Sequence, residues 1–574
     1  MRLPLSEVAQ PWRIPVLLLA TLSVIIAVAG SIDVRRGRPR PQRNFMSAIL
    51  APDLSGVQLV SGTQVDALAW GNFEDNIANN GWSYLEVRSN PNRLDDATAY
   101  AAGAIEASLT RKLIDAHLHN MFGDYCTNQN AAYCEKLERI YNAKLRWMNK
   151  LAREKRYASP YWNQVFLMLK QLAGLEDAYY NRTLNFTNSC HTVSKLFLAN
   201  VEGELGDLEI MLQRKLDDAS LSTMPPCSML VRLTNRDLLV GHTTWHVYRA
   251  MLRIQKHYFF NFRLSAVKGG VPGSSITMTS YPGRLSSLDD FYVISSGLVV
   301  TETTFSVHNT SLFNSVCLES VPTSFRAMAA NRIAETGRHW TRLFEKHNSG
   351  LYNNQWVVID YNKVNASKDG IKLAKEAFWI LEQLPTFIRS EDMTSIFEKQ
   401  GYWGSYNIPY FSDIYNASGY LEVFKQLGDA FSYERCPRAR IFQRDYSRVR
   451  DPKTMMTMLR YNDFKHDPLS ACNCTPGHTS PTYVSPAYAI ASRFDLNDPN
   501  SRCENNALWW VLFGAIDAKV ASVDSVREHS FDAECGPTHD QQPVFSWSTS
   551  GAAKIPIGHP DRFEFKPERH RWTL

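Results

Sequence analysis

The hydrophobic pattern divides the chain into a helical stretch and a strand-rich stretch that meet near residue 226. Between residues 96 and 218, apolar residues recur at the i, i+3, i+4 spacing of amphipathic helices. They predict helices over 101–120, 135–153, 160–175 and 194–218. This block ends in a polar segment closed by Pro225 and Pro226, a composition typical of an exposed linker. The pattern indicates a helix-rich portion, residues 56–226, and a second portion, residues 227–574.

Short alternating runs on both sides of the helical block predict strands. The segments 228–233 and 237–241 are predicted to form a hairpin around a polar turn. Two helices are predicted among the later strands, over 244–256 and 324–347. The other predicted strands lie at 57–60, 82–87, 275–281, 291–295, 298–305 and 355–361.

One apolar segment near the N-terminus, residues 14–32, carries no charge and follows Arg2 and Arg13. It ends in small residues that resemble a signal-peptidase site, and its length approaches the ~20 residues that span a bilayer. We expect residues 1–30 to be either a cleaved signal peptide or an uncleaved signal anchor. A basic, proline-rich leader or stalk is expected over residues 31–55. Either reading delivers the rest of the chain to a lumen.

Potential glycosylation sites and cysteines agree with a secretory route. The chain has ten cysteines, and an oxidising compartment favours disulfide bonds between them. Cys126 with Cys134 is the easiest pair to predict. Cys472 and Cys474 are interpreted as loop half-cystines in preference to metal ligands. The predicted glycosylation sites are the sequons at Asn181, Asn185, Asn309, Asn365 and Asn416. We expect a glycoprotein of the lysosome or the extracellular space.

Composition and absent motifs exclude several classes of protein. A net charge of +5 over 574 residues is too small and diffuse to indicate a nucleic-acid partner. The sequence contains no G-x-S-x-G, H-E-x-x-H, Walker A or G-x-G-x-x-G motif. His117 and His119 resemble a metal-binding H-x-H pair, but on the predicted helix they point about 200° apart. They are therefore interpreted as residues on the surface of a helix.

Cys227 follows the Pro-Pro linker and starts the first strand of the predicted hairpin. Two interpretations stay open on spacing alone: a half-cystine, or an N-terminal nucleophile exposed by cleavage of the 226–227 bond. In the second, the freed α-amino group, with a pKa of about 7.7–8.0, serves as base for a thiol that titrates near 8.5. Before cleavage the same thiol would attack the carbonyl of Pro226 and transfer the upstream acyl group to sulfur.

A series of motifs runs in order through the chain from about residue 60 to the C-terminus. They are CSMLV (227–231), DLLVGHTTW (237–245), YRAMLRI (248–254), SYPG (280–283), DDFY (289–292), ETT (302–304), NSGLYNNQW (348–356), GSYNIP (404–409), CPRA (436–439), RYNDFKHDP (460–468) and GAIDAK (514–519). On these motifs the chain resembles the phospholipase B-like family of lysosomal or secreted N-terminal-nucleophile proteins. It departs from the family in having His-Thr-Thr-Trp where His-Asn-Thr-Trp is usual, and a C-x-C where C-x-x-C is usual.

The resemblance implies an α+β protein with a four-layer αββα N-terminal-nucleophile fold, related to choloylglycine hydrolases and penicillin V acylases. It implies that Cys227 is the nucleophile and that Pro226 and Cys227 flank an autocatalytic cleavage site. His242 is implied either in the network around the amine and thiol or as a core histidine. Trp245 is implied as a wall of the substrate pocket, or as core packing.

Four further residues are assigned by the same resemblance. Asn407 resembles the asparagine that helps to stabilise the oxyanion, and the alternative is a turn asparagine. Arg438 resembles a later active-site arginine, and the alternative is a surface salt bridge. Thr304 and Asn354 are expected to line the same cleft.

The resemblance implies a hydrolase, autocatalytically matured, that deacylates phospholipids or related acyl esters and amides through a thiol acyl-enzyme. An amidase on N-acyl lipids or small peptides is the alternative enzyme, and a non-catalytic luminal lipid- or glycan-binding glycoprotein is the alternative of another class. Neither a cofactor nor a metal is required, because amine, thiol and oxyanion donors complete the reaction. The expected partner is a lipid or acyl-amide substrate, and contact with a membrane surface and homodimerisation stay open.

Overall fold

The structure, a computed structural model, describes residues 43–52, 56–187, 193–215, 227–265, 269–367, 370–474, 482–500 and 505–573. The predicted signal peptide or anchor, and Pro226, lie outside these residues. Within the described ranges, no helix is both long enough and apolar enough to cross a bilayer.

The strands fall into two main sheets and several short ribbons. In chain order they are β1 (Arg43–Leu50), β2 (Val57–Ser61), β3 (Ala69–Asp75), β4 (Trp82–Ser89), β5 (Ser228–Leu233), β6 (Leu238–Thr243), β7 (Trp245–Val247), β8 (Arg253–Phe259), β9 (Ser275–Ser280), β10 (Tyr292–Ile294), β11 (Leu298–Thr304), β12 (Asn354–Asp360), β13 (Val364–Ser367), β14 (Gly370–Leu373), β15 (Phe378–Gln383), β16 (Ile388–Asp392), β17 (Tyr402–Ser405), β18 (Ala471–Asn473), β19 (Thr482–Val484), β20 (Phe513–Ala515), β21 (Asp517–Ala521), β22 (Asp532–Cys535), β23 (Phe545–Ser546), β24 (Arg562–Phe563) and β25 (Glu568–Arg569).

The longest helices come from the part of the chain upstream of Cys227. In chain order the helices are α1 (Ile77–Asn80), α2 (Asp95–Phe122), α3 (Ala131–Lys155), α4 (Pro160–Tyr179), α5 (Lys195–Asn200), α6 (Glu202–Met211), α7 (Thr323–Ile333), α8 (Gly337–Phe344), α9 (Thr394–Gln400), α10 (Ser412–Ala417), α11 (Tyr420–Leu427), α12 (Pro437–Asp445), α13 (Pro452–Leu459) and α14 (Val523–Arg527).

The larger sheet contains strands from both sides of Cys227. Its eleven strands run in the order β16-β15-β12-β11-β10-β9-β8-β4-β3-β1-β2. Strands β4 and β8 pair in parallel, with Trp82 opposite Arg253 and Arg88 opposite Phe259. Because β4 precedes Cys227 and β8 follows it, backbone hydrogen bonds of one sheet join the two portions of the chain.

The smaller sheet packs on the larger one and carries Cys227 at the head of a central strand. Its order is β17-β5-β6-β21-β22-β25, so β5 is paired on both edges. The hydroxyls of Thr303 on β11 and Ser405 on β17 lie 2.6 Å apart. Trp403 on β17 donates through Nε1 to the Gln355 side chain on β12 at 3.2 Å. These contacts place the two sheets face to face.

Helices cover the outer face of each sheet. On the larger sheet, α2 and α4 cross so closely that a Cβ on Gly103 would lie 1.8 Å from the Gln171 carbonyl oxygen, so glycine is required there. On the smaller sheet, Met455 of α13 packs over Gly241, where a Cβ would lie 2.7 Å from its sulfur. The arrangement of helices and sheets confirms the predicted α+β class, and strands β5 and β6 confirm the predicted hairpin.

The segment predicted as a leader or stalk, 31–55, needs a correction. Residues Arg43–Leu50 form β1, which pairs with β2 on one edge and β3 on the other. Ala48 is fully buried, and Met46 packs against the core. Residues 43–50 therefore belong to the fold, although the arginines and prolines just before them dominated the sequence pattern.

The helix predicted over 244–256 is wrong. Residues Trp245–Val247 and Arg253–Phe259 are strands β7 and β8. The alternation of β8 is hidden because both of its faces are buried and both carry cations. Arg253 Nη1 lies 2.8 Å from Asp517 of the smaller sheet, and Lys256 Nζ lies 2.7 Å from Glu106 of helix α2. Ion pairing on both sides of a buried strand defeats a pattern based on hydrophobicity alone.

Two other predicted helices are each divided in two. Residues 324–347 form α7 and α8, which are separated where the Thr336 side chain accepts a hydrogen bond from His339 N–H and caps α8. Of the helix predicted over 194–218, the described residues 194–215 contain α5 and α6, which are separated at the buried Val201, and 216–218 lie outside the described residues. The second break matters for function, because α6 reaches the candidate active site.

Candidate active site

Cys227 is a free, buried thiol at the entrance to strand β5. Its freedom contradicts the half-cystine interpretation. Its φ is +87°, a left-handed conformation that costs a non-glycine residue about 1–3 kcal/mol and is concentrated at functional sites. The backbone is therefore strained at the residue whose N-terminal peptide bond was predicted to be cut.

Arg438 joins Cys227 to Asn407. Arg438 lies in the first turn of α12, and its Nη1 donates to the Cys227 carbonyl oxygen and to Asn407 Oδ1, each at 2.7 Å. Its Nη2 donates to the Tyr406 carbonyl oxygen at 2.7 Å, and its guanidinium carbon sits 4.4 Å from the centre of the Trp245 ring. Although burial lowers the pKa of Arg438 to about 10, the group stays cationic in a lysosome or outside the cell.

Asn407 follows β17 and is held in one orientation. Its φ is +69°, its Nδ2 donates to the Thr304 carbonyl oxygen at 2.6 Å, and Tyr420 donates to its carbonyl oxygen at 2.7 Å. Because Arg438 occupies Oδ1, the side chain presents its NH₂ group as a donor.

His242 lies on β6, next to the nucleophile. Its Nε2 is 3.0 Å from the Glu302 carbonyl oxygen, and a carbonyl only accepts, so Nε2 carries the hydrogen and Nδ1 carries a lone pair. Nδ1 is buried and has no hydrogen-bond partner in the described part of the chain. Burial, and then the charge of Lys519, keeps the pKa of His242 well below its ordinary value. The imidazole is a neutral acceptor beside the thiol.

Glu302 and Tyr352 complete a group of side chains beside the thiol. Ligand atoms of Cys227, His242 and Glu302 lie within 4.8 Å of one another. The Tyr352 hydroxyl is 2.8 Å from the Leu288 carbonyl oxygen and 3.2 Å from Glu302 Oε1, with one hydrogen to share between them. This arrangement suits a protonated Glu302.

Buried acids beside the nucleophile are held neutral. Burial, and then the neighbouring Asp290 carboxyl, raises the pKa of Glu302 well above its ordinary range. Burial also raises the pKa of Asp290 to about 8. The Cys227 thiol has a raised pKa because of its burial and then because of Glu302, while a hydrogen bond from the Trp245 backbone N–H opposes the shift. We refer to His242, Asp290, Glu302 and Tyr352 as the neutral cluster.

A second cluster, the charged cluster, consists of Arg253, Asp289, Asp517 and Lys519. Asp517 and Lys519 lie on β21, which pairs with the edge of β6 opposite to β5. Lys519 Nζ is 2.7 Å from Asp517 Oδ1 and 3.7 Å from Asp289 Oδ2, and Arg253 pairs with both carboxylates. Lys519 also donates to Thr244 Oγ1 at 2.6 Å. The cluster thereby fixes the backbone that follows His242.

Cys227 opens into a cavity of about 140 Å³. One wall comes from β7, β20 and the end of β11, and it includes Trp245 and Thr304, as predicted. The facing wall comes from α6, upstream of Cys227. The residues of that helix that line the cavity are Glu202, Gly203, Gly206, Asp207 and Ile210.

Most of the predicted site residues lie together, and one stands apart. Cys227, His242, Asn407, Arg438 and the two pocket residues form one continuous network through the contacts given above. Asn354 is fully buried on β12 opposite Thr304, but it is not among the residues that line the cavity. Its side-chain amide has no hydrogen-bond partner among the described residues.

Several residues at the site were not predicted from the sequence. Glu302 belongs to the ETT motif and Tyr352 to NSGLYNNQW, so their motifs pointed to the region but not to these side chains. Asp290 belongs to DDFY and Lys519 to GAIDAK, so the same holds for them. The acids of α6 carried no signal, because only the packing of distant segments brings them to Cys227. His117 is on a helix as predicted, but it is buried against Tyr281 and is not at the surface.

The remaining cysteines clarify the disulfide predictions. Cys126 and Cys134 form a disulfide, which confirms that pair. Cys472 is a free thiol whereas Cys474 is disulfide-bonded. The two are therefore not bonded to each other, and the interpretation of Cys472 as a half-cystine is wrong, whereas Cys474 is a half-cystine as predicted.

The predicted glycosylation sites lie at the surface. Asn181, Asn309, Asn365 and Asn416 are exposed, and Asn185 is half-buried. An enzyme that attaches a glycan needs such access. Glycosylation at these sites stays a prediction.

This chain, which carries a buried thiol at the head of a central strand, is similar to proteins of animals and amoebae. A sequence model of the Phospholipase B family matches residues 69–570. The chain is 39% identical over 553 residues to "Putative phospholipase B-like 2" of Bos taurus, covering 94% of this chain and 91% of that protein. It is 34% identical over 537 residues to "Phospholipase B-like protein B" of Dictyostelium discoideum, covering 89% and 87%. The chain belongs to the phospholipase B-like family.

Proposed function

We propose that the protein is an N-terminal-nucleophile hydrolase that matures by cutting its own chain before Cys227 and then deacylates phospholipids or related acyl esters and amides. The observation that carries this proposal is the strained, free thiol of Cys227, which lines a cavity and whose carbonyl oxygen accepts a hydrogen bond from Arg438. Family membership supports the hydrolase class. The succession of helix, sheet, sheet and helix around β5 supports the αββα fold.

Maturation begins with the thiol. As the Cys227 sulfur attacks the Pro226 carbonyl carbon, its proton passes to His242 Nδ1, the buried lone pair beside it. The proton then moves to the Cys227 nitrogen as the 226–227 C–N bond breaks, which leaves a thioester on sulfur. Water hydrolyses that thioester, so the upstream chain gains a carboxylate and Cys227 regains its thiol next to a free α-amine. Release of the left-handed φ favours this direction.

Substrate turnover uses the new α-amine as the base. The amine takes the thiol proton as sulfur attacks the substrate carbonyl, and it returns that proton to the leaving alcohol or amine. The Asn407 NH₂ group stabilises the oxyanion, and Arg438, which donates to Asn407 Oδ1, keeps that group oriented. The acyl group stays on sulfur until water releases it as a carboxylic acid.

We further propose that the protein works in the secretory lumen, in a lysosome or outside the cell. The surface positions of the sequons and the Cys126–Cys134 disulfide support this location, because disulfides persist in oxidising compartments. Contact with a membrane surface would follow from a phospholipid substrate.

The experiment that tests the proposal compares the wild type with Cys227→Ala and Cys227→Ser in purified form. We expect the wild type to give two fragments on a reducing gel, the second of which starts at Cys227. The alanine variant, which has no attacking atom, should stay intact and inactive. The serine variant should cut slowly, because an oxygen still attacks. Cys317→Ala, which removes an exposed free thiol that does not line the cavity, should behave as wild type.

Mass spectrometry after incubation with phospholipids and N-acyl amides identifies the product. Release of fatty acid from phospholipids supports the main proposal, and release from amides alone would make the protein an amidase. An active wild type with an intact 226–227 bond would overturn the maturation step. An intact, inactive wild type that retains lipid or glycan would make it a binding protein.

A further inference from the structure

The cavity at Cys227 has walls from both sides of the proposed cut. Helix α6, upstream of Cys227, turns Gly203, Gly206 and Ile210 toward it, and the i, i+3, i+7 spacing puts all three on one helix face. Gly206 lines the cavity without a side chain, so a larger residue at this position would reduce the volume of the cavity. Ile210, at the last turn, is 43% exposed and marks the mouth.

The size of the cavity limits what fits beside the sulfur. Its volume of about 140 Å³ is close to that of an engineered apolar cavity of about 150 Å³ that binds benzene. By that measure it holds about six carbon atoms. Ile210, Leu288, Phe305, Val307 and Phe513 supply apolar lining, which suits a hydrocarbon chain.

The two acids of α6 do not make the cavity a site for a charged group. Burial raises the pKa of Asp207 to about 7, so the carboxyl is protonated at the pH of a lysosome. Glu202 lies 3.4 Å from both Arg284 Nη1 and His246 Nε2, and its charge is compensated. The cavity therefore favours an acyl chain over a cationic or anionic head group.

Helix α6 is fastened to the downstream chain by contacts that a cut at 226–227 leaves in place. Asp207 Oδ2 accepts hydrogen bonds from the Tyr352 backbone N–H at 2.8 Å and from Asn353 Nδ2 at 3.1 Å. Gly203 abuts the Tyr352 ring, where a Cβ would lie 2.8 Å away. The β4–β8 pairing adds a second junction.

We propose that helix α6 is the specificity-determining wall of the acyl site, and that the enzyme acts on acyl groups whose first six or so carbon atoms lie between α6 and Cys227. Longer chains leave the cavity past Ile210. This inference rests on the proposed hydrolase function and deepens it, because it assigns selection of the acyl chain to the portion of the protein that precedes the nucleophile. Both fragments are then needed for turnover.

The test uses matured enzyme and a series of p-nitrophenyl esters from acetyl to dodecanoyl, with the released acid measured by mass spectrometry. For the wild type, kcat/KM should rise with chain length to about six to eight carbons and then level off. Gly206→Leu should lower kcat/KM for the octanoyl ester about tenfold or more relative to the acetyl ester, since one misfit methylene group in an apolar pocket costs about that much.

Two further variants keep the test decisive if the leucine disturbs folding. Gly206→Ala adds one methyl group and a better helix former, and it should shift the preference in the same direction by a smaller factor. Ile210→Ala should widen the mouth and improve the dodecanoyl ester relative to the hexanoyl ester. Met211→Leu, on the same helix but outside the cavity lining, should leave the profile unchanged.

The outcomes separate the inference from the proposed function. If the wild type is active and Cys227→Ala is not, the hydrolase stands, and an unchanged chain-length profile in Gly206→Ala, Gly206→Leu and Ile210→Ala overturns the role of α6. If the matured wild type releases acid neither from any of the esters nor from phospholipids, the hydrolase proposal fails, and the inference fails with it.

Discussion

Asp289 and Asp290 are neighbours in the sequence, and the fold gives them opposite electrostatic environments. Asp289 faces Arg253 and Lys519 in the charged cluster, and their charges outweigh its burial and hold its pKa below the ordinary value. Asp290 faces Glu302 and Tyr352 in the neutral cluster, where burial raises its pKa to about 8. The first carboxylate is ionised at any pH the protein meets, whereas the second exchanges a proton near neutrality.

The charged cluster stabilises the fold, whereas the neutral cluster surrounds the candidate nucleophile. Buried ions with partners fix the strands β6, β8 and β21 relative to one another, and they respond little to pH. The acids of the neutral cluster stay neutral because burial outweighs the charge of Arg284, which lowers the pKa of Asp290, so the thiol lies beside protonated carboxyls. The candidate nucleophile therefore lies among groups whose pKa values are strongly shifted by burial, which is typical of functional sites.

Removal of a cation from the charged cluster should have the largest effect. Lys519→Met leaves two buried carboxylates with one cation, and breaking a buried pair costs about 3–5 kcal/mol of unfolding free energy. We expect a large drop in Tm and loss of the two-fragment pattern. Lys453→Met, at an exposed position on α13, should change stability by no more than about 0.5 kcal/mol. Equal unfolding midpoints for the two variants would contradict the scaffold role.

Loss of Asn407 should lower the rate of the chemical step, since Asn407, and no residue of the neutral or the charged cluster, is proposed as the donor to the oxyanion. Asn407→Ala should lower kcat by about 10²–10³, the range measured for oxyanion donors, with KM nearly unchanged because the bond tightens only in the transition state. The chain should still mature and fold. Equal kcat values for the variant and the wild type would transfer the role to a backbone amide.

Asp207 is a buried acid with a raised pKa, like Asp290 and Glu302, and it lines the substrate cavity. Its pKa of about 7 means that it ionises as the pH rises past neutrality, which puts charge beside an apolar acyl group. Turnover should rise with pH up to about pH 7 as the Cys227 amine loses its proton, level off as Asp207 ionises, and then fall by up to about tenfold per pH unit above about pH 8, where the amine is already neutral. Asp207→Asn should weaken that fall without moving the rising limb. A pH profile identical to that of wild type would exclude Asp207 from the alkaline limb.

The smallest expected effect is on the pH dependence of stability. The pKa of Asp290 is about 8 in the fold and about 3.9 in an unfolded chain. The folded state therefore binds the proton more tightly, and the stability this contributes is complete below pH 4 and is lost as the pH rises toward 8. Asp290→Asn should flatten the decline of Tm between pH 5 and pH 8 relative to wild type.

Comparison with a surface carboxylate isolates that effect from other titrating groups. Buried His117, with a pKa lowered to about 4 by burial, contributes with the opposite sign, because its stability is lost as the pH falls. Asp413→Asn, at an exposed position, keeps all buried groups and should retain the wild-type slope. The same slope in Asp290→Asn would show that this carboxyl is not protonated in the fold.

Local features of the chain were predictable where one short segment decides them. The hairpin of β5 and β6 follows from two alternating runs around a polar turn, and the long helices α2 to α4 follow from their spacing. Cys227, Asn407 and Arg438 were assigned by resemblance, and the fold connects all three through the Arg438 side chain. The Cys126–Cys134 disulfide needed only a short loop.

Predictions failed where distant partners override the local pattern. Strand β8 carries Arg253 and Lys256 at buried positions, so its sequence does not show the apolar alternation of a strand. Only Asp517 on one side and Glu106 on the other make those positions tolerable. Helix α6 was predicted as the middle of a longer helix, and nothing in its residues indicated that it would face the nucleophile.

The sequence by itself determined the family, the candidate nucleophile, the hairpin of β5 and β6 and the long helices α2 to α4, because these depend on motifs and on contacts between residues close in the chain. Only the tertiary structure decided which of two adjacent aspartates is ionised and which helix closes the cavity. The physical reason is that pKa values and cavity shape depend on the groups within a few ångströms. In this fold those groups come from segments separated by tens to hundreds of residues, which pack together only when the two sheets close on each other.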